Sequence, residues 1–422
     1  MSLDVYLHGE RIGGLFPAGE QGYRFAYSAE TVERAGTGAV LLSNSLPVRS
    51  EPFSAEATRA YVEGLLPQGH RRRTIARELG FDPGDGYELI AALGRDCLGA
   101  VAFLARDDAA ELREESEPAW LGEDELEEVI DSPPGRLFDP ERPERMRFAL
   151  PGERHKLALV RDEESGRWAW PTAAVPSTHI VKPEPADRPG LAANEQACTL
   201  AYRELGLPVA HTSVETIAGR PCLVSRRFDR WGDGPRAERL HQESFAQALG
   251  IPPDSSERRL APGAPSLREA SGLLRAIGEE GAVQTLMRTV FCDILLGCTR
   301  LRCANAALLL LDEQPMLAPF YGIASTEIYG ESRPRPIVIG APPAPLLVDL
   351  RVTIDLCDLE FQPSIIESVR LMGSLCEALS GAVDDAEAQG WYRPAIDEAI
   401  QLATSRALGF RDESQYLRPP GA

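Results

Sequence analysis

Lysine is nearly missing from this chain of 422 residues: Lys156 and Lys182 are the only two, and arginine supplies the rest of the 44 basic side chains. A composition that has moved its cations to arginine should keep lysine where a compact, flexible ammonium does what a planar guanidinium fork cannot. Positive charge is also scarce overall, with 64 acidic residues and a formal net charge of −20. That balance argues against direct nucleic-acid binding, which depends on clustered Lys and Arg to neutralise phosphates. No apolar run is long enough to cross a bilayer, and Cys97 to Ala105 and Ala306 to Leu311 are the length of strands. The opening residues, Met1-Ser2-Leu3-Asp4-Val5-Tyr6, lack a basic stretch leading into an apolar one, so export is not expected. The eight cysteines contain no CxxC pair, which argues against a disulfide framework or zinc site and for buried thiols in a reducing, cytoplasmic setting.

What the chain does contain divides into four stretches. Residues 1–104 read as a small α+β domain: a hairpin from Val5, a third strand at Phe25-Ala26-Tyr27, a strand and turn over Val40 to Pro47, and helices over Thr58 to Leu66 and Tyr87 to Leu93. Arg71-Arg72-Arg73 is expected to form an exposed helix N-terminus. Residues 105–144 read as an acidic, solvated linker, because between Asp107 and Glu128 the only basic residue is Arg113. Over 145–235 the pattern is of strands with one helix, Asn194 to Leu205, ending near Gly206. Residues 236–422 are mainly helical, with a single apolar strand near Leu311 and apolar stripes at helical spacing from Pro363 to Leu379 and from Tyr392 to Ala407.

Several segments in this order carry a resemblance. Leu65-Leu66-Pro67-Gln68-Gly69, Leu93 to Val101, Thr178-His179-Ile180-Val181-Lys182, Asn194-Glu195, Gly206 to Ala210, Arg227-Phe228-Asp229-Arg230, His241 to Gly250 and Leu317 to Tyr321 resemble the HipA family of bacterial serine/threonine kinases, the toxin half of many toxin-antitoxin pairs. The resemblance spans roughly residues 3 to 326. It implies an α+β, two-lobed, protein-kinase-like fold, with a small N-terminal α+β domain and a mainly helical C-terminal lobe. It also implies a small helix-turn-helix antitoxin as partner, through which any operator binding would have to come.

For nucleotide binding the resemblance implies specific positions. Leu150-Pro151-Gly152-Glu153-Arg154-His155-Lys156 looks like the family's loop over the ATP phosphates, where Gly152 lets backbone amides approach and Lys156 adds charge. Lys182 resembles the strand lysine that holds the phosphates, with Glu195 as its orienting partner. Ser225 to Phe228 would supply the adenine hinge, although Arg226 stands where the family commonly has an acid.

The catalytic positions depart from the family. Its active members read Gly-Asn-Thr-Asp-Gly-His-Ala-Lys-Asn where this chain has Gly297-Cys298-Thr299-Arg300-Leu301-Arg302-Cys303-Ala304-Asn305. Arg300 replaces the base, and an arginine stays protonated at any accessible pH. The motif Pro-Leu-Tyr-Asp is Pro319-Phe320-Tyr321-Gly322, which removes the metal-binding carboxylate and leaves Asn305 as a poor Mg²⁺ ligand. Ala149 stands where relatives can carry a phosphorylatable serine. The expected reading is a HipA-type pseudokinase that binds a nucleotide such as ATP, or another anion, with Arg300 and Arg302 substituting for metal charge. Three alternatives remain: altered ATP-dependent transfer chemistry with Asp229, Glu243 or Asp293 as base, a weakly active Ser/Thr kinase toxin, and a partner-binding scaffold with a vestigial cleft.

Overall fold

The computed structural model describes residues 2–19, 22–108, 118–131, 148–252, 265–299, 303, 305–311, 314–331 and 346–414. They form two compact units, one comprising Met1–Pro183, Glu215–Ser255 and Leu308–Pro315, the other Glu184–Val214, Ser256–Ala307 and Met316–Ala422.

The first unit opens with β1 (Leu3–Leu7), β2 (Glu10–Pro17) and β3 (Tyr23–Tyr27), followed by helices α1 (Ala29–Ala35), α2 (Ala55–Glu63), α3 (Gly69–Leu79) and α4 (Gly86–Leu93). Local chemistry sets these helix ends. Ser28, Ser54 and Asp85 each accept a first-turn amide, and Gly80 closes α3 in the left-handed region. β4 (Val101–Ala105) completes an antiparallel sheet in the order β3-β2-β1-β4. The chain continues through β5 (Ala119–Trp120), α5 (Glu123–Asp131), β6 (Leu157–Arg161), β7 (Trp168–Trp170) and β8 (His179–Pro183). It enters the second unit with α6 (Leu191–Glu204), then forms β9 (Thr212–Ile217) and β10 (Arg220–Arg226), giving a six-stranded sheet in the order β5-β7-β6-β8-β10-β9. Short strands β11 (Arg230–Trp231), β12 (Glu238–Arg239) and β13 (His241–Ser244) lead into α7 (Phe245–Ala248).

One hydrophobic cluster runs from Leu3, Val5 and Phe25 through Leu65, Ile75 and Phe103 to Leu159, Val181 and Val224, so residues of the 1–104 stretch and of the six-stranded sheet share a core. Three expectations are revised within this unit. The acidic stretch is not only linker, because β5 pairs with β7 and Leu121, Val129 and Ile130 enter the core. Residues 40–47 form turns with an isolated Ser43–Leu46 bridge instead of a strand. The reason is long-range hydrogen bonding: the Ser43 hydroxyl donates to Glu243 (2.5 Å) and the Ser45 hydroxyl to the Gln247 carbonyl (2.7 Å). Arg71, expected to be exposed, is 3% exposed, and Arg72 is ion-paired with Glu63.

The second unit is mainly helical. α6 packs on α11 (Phe361–Gln389) and α12 (Arg393–Ser414), and these pack in turn with α9 (Glu280–Leu296) and α10 (Leu346–Leu356), on which α8 (Pro265–Ala276) rests; β14 (Ala307–Leu311), which from Leu308 belongs to the first unit, and β15 (Gln314–Leu317) intervene in sequence between α9 and α10. Small side chains set the α6 contact: Ala193 and Ala197 meet Ala382, Ala386 and Ile396, with Trp391 and Ile400 at the margin. Gly190, left-handed at φ +76°, starts α6 where an added Cβ would lie 2.2 Å from Tyr392. The eight cysteines form no disulfide; seven are buried and Cys376 is half-buried. No helix among the described residues is long and apolar enough to cross a membrane.

Candidate functional site

In the first unit, the glycine loop leads directly into the six-stranded sheet. Gly152 has φ +93°, and a Cβ there would meet the Lys156 ammonium at 3.0 Å. Lys156 Nζ folds back to donate to the Pro151 carbonyl at 2.6 Å, so the loop's cation is held against its own turn. The Ala149 amide donates to the Asp96 carbonyl (2.9 Å), and Arg71 donates to the Leu150 carbonyl (2.7 Å). His155 is neutral: burial, then Arg71 and Arg220, lower its pKa to about 4, and its Nε2 is enclosed without a hydrogen bond. Lys182 is half-buried on β8, opposite Leu223 of β10, with two strands of the sheet on one side of β8 and three on the other. A strand position of this kind fixes the direction of its side chain to alternate with Val181, which belongs to the core.

The proposed hinge is on β10 and the turn after it. Arg226 is exposed and ion-paired with Asp233 (2.5 Å), while Phe228 is half-buried. Asp229, one of the alternative bases, is committed to structure. It takes Arg227 (2.7 Å), Arg230 (3.0 Å), the Gly99 amide (2.7 Å) and Gln242 (2.7 Å). Burial would raise its carboxyl, but Arg227 and Arg230 hold it well below the usual carboxylate range. Asp96 stands behind the same arginines and Arg239. Glu243 is also enclosed, accepting from Ser43 Oγ and the Asn44 amide (3.0 Å), and burial pushes it up to about 7. Neither group is placed to take a substrate proton.

In the second unit, Glu195 lies buried on α6 next to Asn194, whose amide clamps Ser325: Nδ2 donates to the Ser325 carbonyl (3.1 Å) and Oδ1 accepts its amide (2.9 Å). Gly297, at φ +68°, ends α9 and accepts the Thr326 and Glu327 amides. Thr299 Oγ1 is held by Thr326 Oγ1 (2.8 Å) and donates to Glu331 (2.8 Å). These bonds fix the N-terminal end of the segment in which the family keeps its catalytic residues. Arg300, Leu301 and Arg302 themselves lie outside the described residues.

Asn305 and Gly322 line one small, partly open cleft, together with Thr289, Asp293, Cys298 and Tyr321. The sequence placed Asn305 and Gly322 at the site, and the fold brings them together. Asp293, which the sequence offers as one of three alternative bases and more readily as a helix residue near the core, lines the same cleft. Its Oδ1 accepts the buried Tyr202 hydroxyl at 2.6 Å. Burial, reinforced by Asp293, keeps that phenol far from ionising. Position 322 has no side chain and Asn305 offers one neutral amide, which leaves Asp293 as the carboxylate that lines the cleft. Among the described residues, no three His, Cys, Asp or Glu side chains converge as a metal cluster.

Comparison with known proteins supplies the family. The family model for the HipA N-terminal domain matches residues 3–104, and that for the HipA-like C-terminal domain matches 148–354. A Sinorhizobium fredii protein described as "Putative kinase Y4mE" is 33% identical over 341 residues, 79% of each chain. The serine/threonine-protein kinase toxin HipA of Shewanella oneidensis is 24% identical over 303 residues, covering 68% of this chain and 67% of the toxin. The solved Shewanella oneidensis complex of HipA, HipB and operator DNA contains a chain with the same fold, at TM-score 0.75 and 20% identity over 99% of this chain and 100% of that one. The family models, the relatives and the shared fold agree: this chain belongs to the HipA family of kinases.

Proposed function

We propose that this HipA-family chain is catalytically degenerate and acts as a regulatory protein that binds ATP, or another nucleotide or anion, without Mg²⁺. The observation that carries the reading is Gly322, which lines the cleft beside Asn305 and offers no carboxylate where the family motif has one. Arg300 in place of the catalytic aspartate points the same way, since a guanidinium accepts no proton. Phosphoryl transfer depends almost wholly on positioning and charge stabilisation, so loss of base and metal ligand costs several orders of magnitude in rate. The cationic elements persist: Lys156 on the glycine loop, Lys182 on β8, and Arg300 and Arg302 in the sequence. Guanidiniums bind phosphate in bidentate fashion and can replace part of the metal's charge.

The test is a thermal-shift titration with ATP, with and without Mg²⁺, on the wild type and on Lys156→Ala and Lys182→Ala. A ligand that binds the native state raises its melting temperature by mass action. A shift that persists without Mg²⁺ and is lost in both variants supports the reading. No shift under any condition turns the function toward a protein-binding scaffold.

A second reading draws on Asp293, whose carboxylate lines the same cleft. It would serve as base or ligand in an altered ATP-dependent transfer, including weak Ser/Thr kinase activity. Formation of a labelled product by the wild type, abolished in Asp293→Asn, would favour that reading over binding alone. The partner we propose is a small helix-turn-helix antitoxin, on the analogy of HipB in the Shewanella oneidensis complex. With a net charge of −20, any operator contact would run through that partner.

A further inference from the structure

Arg71 is the least conventional cation among the described residues. It lies in the first turn of α3, 3% exposed, and the described residues include no carboxylate paired with it; its neighbour Arg72 is ion-paired with Glu63 in the ordinary way. Burying an unpaired guanidinium is costly, and burial lowers its pKa to about 10, so it remains charged at neutral pH. The hydrogen bond it makes there is to the carbonyl of Leu150, at the start of the glycine loop.

The loop is held from the same side by backbone. Pro67 and Gly152 form a parallel bridge, and the Gln68 amide donates to the Gly152 carbonyl at 3.2 Å. Gly69 allows this approach, because a Cβ there would lie 2.5 Å from Glu153 Oε1. Residues 149, 150 and 152 are thus pinned to the segment around Asp96 and to Pro67 through Arg71, all in the first unit.

We infer that Arg71 is a positioning residue for the glycine loop, so that the N-terminal module sets the loop's conformation and, through it, the affinity for a nucleotide's phosphates. The second half of the statement rests on the nucleotide reading above; the first half does not. Detaching Leu150 would release the turn that presents Gly152 and Lys156. Arg71 itself need not touch the ligand.

Amide hydrogen exchange on wild type, Arg71→Ala, Arg71→Lys, Arg72→Ala and Lys182→Ala, paired with the ATP thermal shift, decides it. The amides of Gln68 and Ala149 are expected to exchange at least tenfold faster in Arg71→Ala and several-fold faster in Arg71→Lys, whose ammonium restores one donor. In Arg72→Ala and Lys182→Ala they should match the wild type, although Lys182→Ala loses the ATP shift. ATP affinity should fall about tenfold in Arg71→Ala and recover in part in Arg71→Lys. Exchange in the Arg71 variants equal to that of the wild type overturns the inference. So does equal loosening in Arg72→Ala, which would mean that any damage to α3 frees the loop. If Arg71→Ala fails to fold, Arg71→Lys carries the same comparison. If the wild type shows no ATP shift, the nucleotide reading falls while the exchange result still decides the role of Arg71.

Discussion

Glu243 is ionised at neutral pH only at a cost, because among the described residues no cation is paired with it and it accepts hydrogen bonds from Ser43 and Asn44. Its folded pKa of about 7 is above the ordinary 4.5, so the folded state binds the proton more tightly than the unfolded one. The stability this gives is complete below the unfolded pKa and is lost as pH rises through about 7. Glu243→Gln should therefore melt no higher than the wild type at pH 4.5 and be more stable at pH 8, by up to about 3 kcal/mol. Denaturant curves at the two pH values check this, and a difference that does not change with pH would refute it. Asp229→Asn should act in the opposite sense, costing about 3–5 kcal/mol, because Arg227 and Arg230 would be left buried with half their compensation. The residue scale is also where sequence and structure part most clearly. Lys156 and Lys182 stand out in the sequence because lysine is so scarce and both sit in motifs. Arg71 could not, because its partner is a backbone carbonyl 79 residues away and leaves no complementary side chain to find.

At the scale of elements, α6 joins the site to the helical unit through small residues. Ala193 and Ala197 are almost fully buried against Ala382, Ala386 and Ile396, leaving no room for a longer side chain. Ala197→Leu should destabilise the chain by about 1–3 kcal/mol through overpacking, read as a lower denaturant midpoint at unchanged slope. A neutral result would mean that α6 and α11 have slack between them. Helices α4 and α6 were legible from apolar spacing, and the end of α6 from Gly206, whereas the helix expected over Thr58 to Leu66 is found three residues earlier as α2. The acidic stretch was misread because its charge outweighed a weaker signal: Leu126, Val129 and Ile130 already stand at helical spacing, and they face the core. The strand expected over residues 40–47 failed for a different reason. Its serines satisfy their hydrogen bonds on Glu243 and Gln247, which lie about 200 residues away and which no local pattern reveals.

On the scale of the whole molecule, the chain keeps the HipA scaffold, while Arg300 and Gly322 stand where, on the proposed reading, the family's catalytic acids would be. The motif order made the family legible from residue 3 to 326, because the scaffold segments and the cation positions survived. Asp293, one of three alternative bases offered by the sequence, is set apart from Asp229 and Glu243 only by tertiary structure, which puts it in the cleft. A net charge of −20 also predicts self-repulsion, so the melting temperature should rise as salt is increased toward physiological strength; a fall would show that paired charges outweigh it. The central claim is that cationic side chains have taken over the metal's part in holding a nucleotide. Calorimetric titration with ATP in the presence of EDTA, on the wild type and on the double variant Arg300→Ala/Arg302→Ala, tests it most directly. The account predicts binding by the wild type without metal and affinity at least tenfold weaker in the double variant. Binding that requires Mg²⁺, or that is indifferent to both arginines, would contradict it.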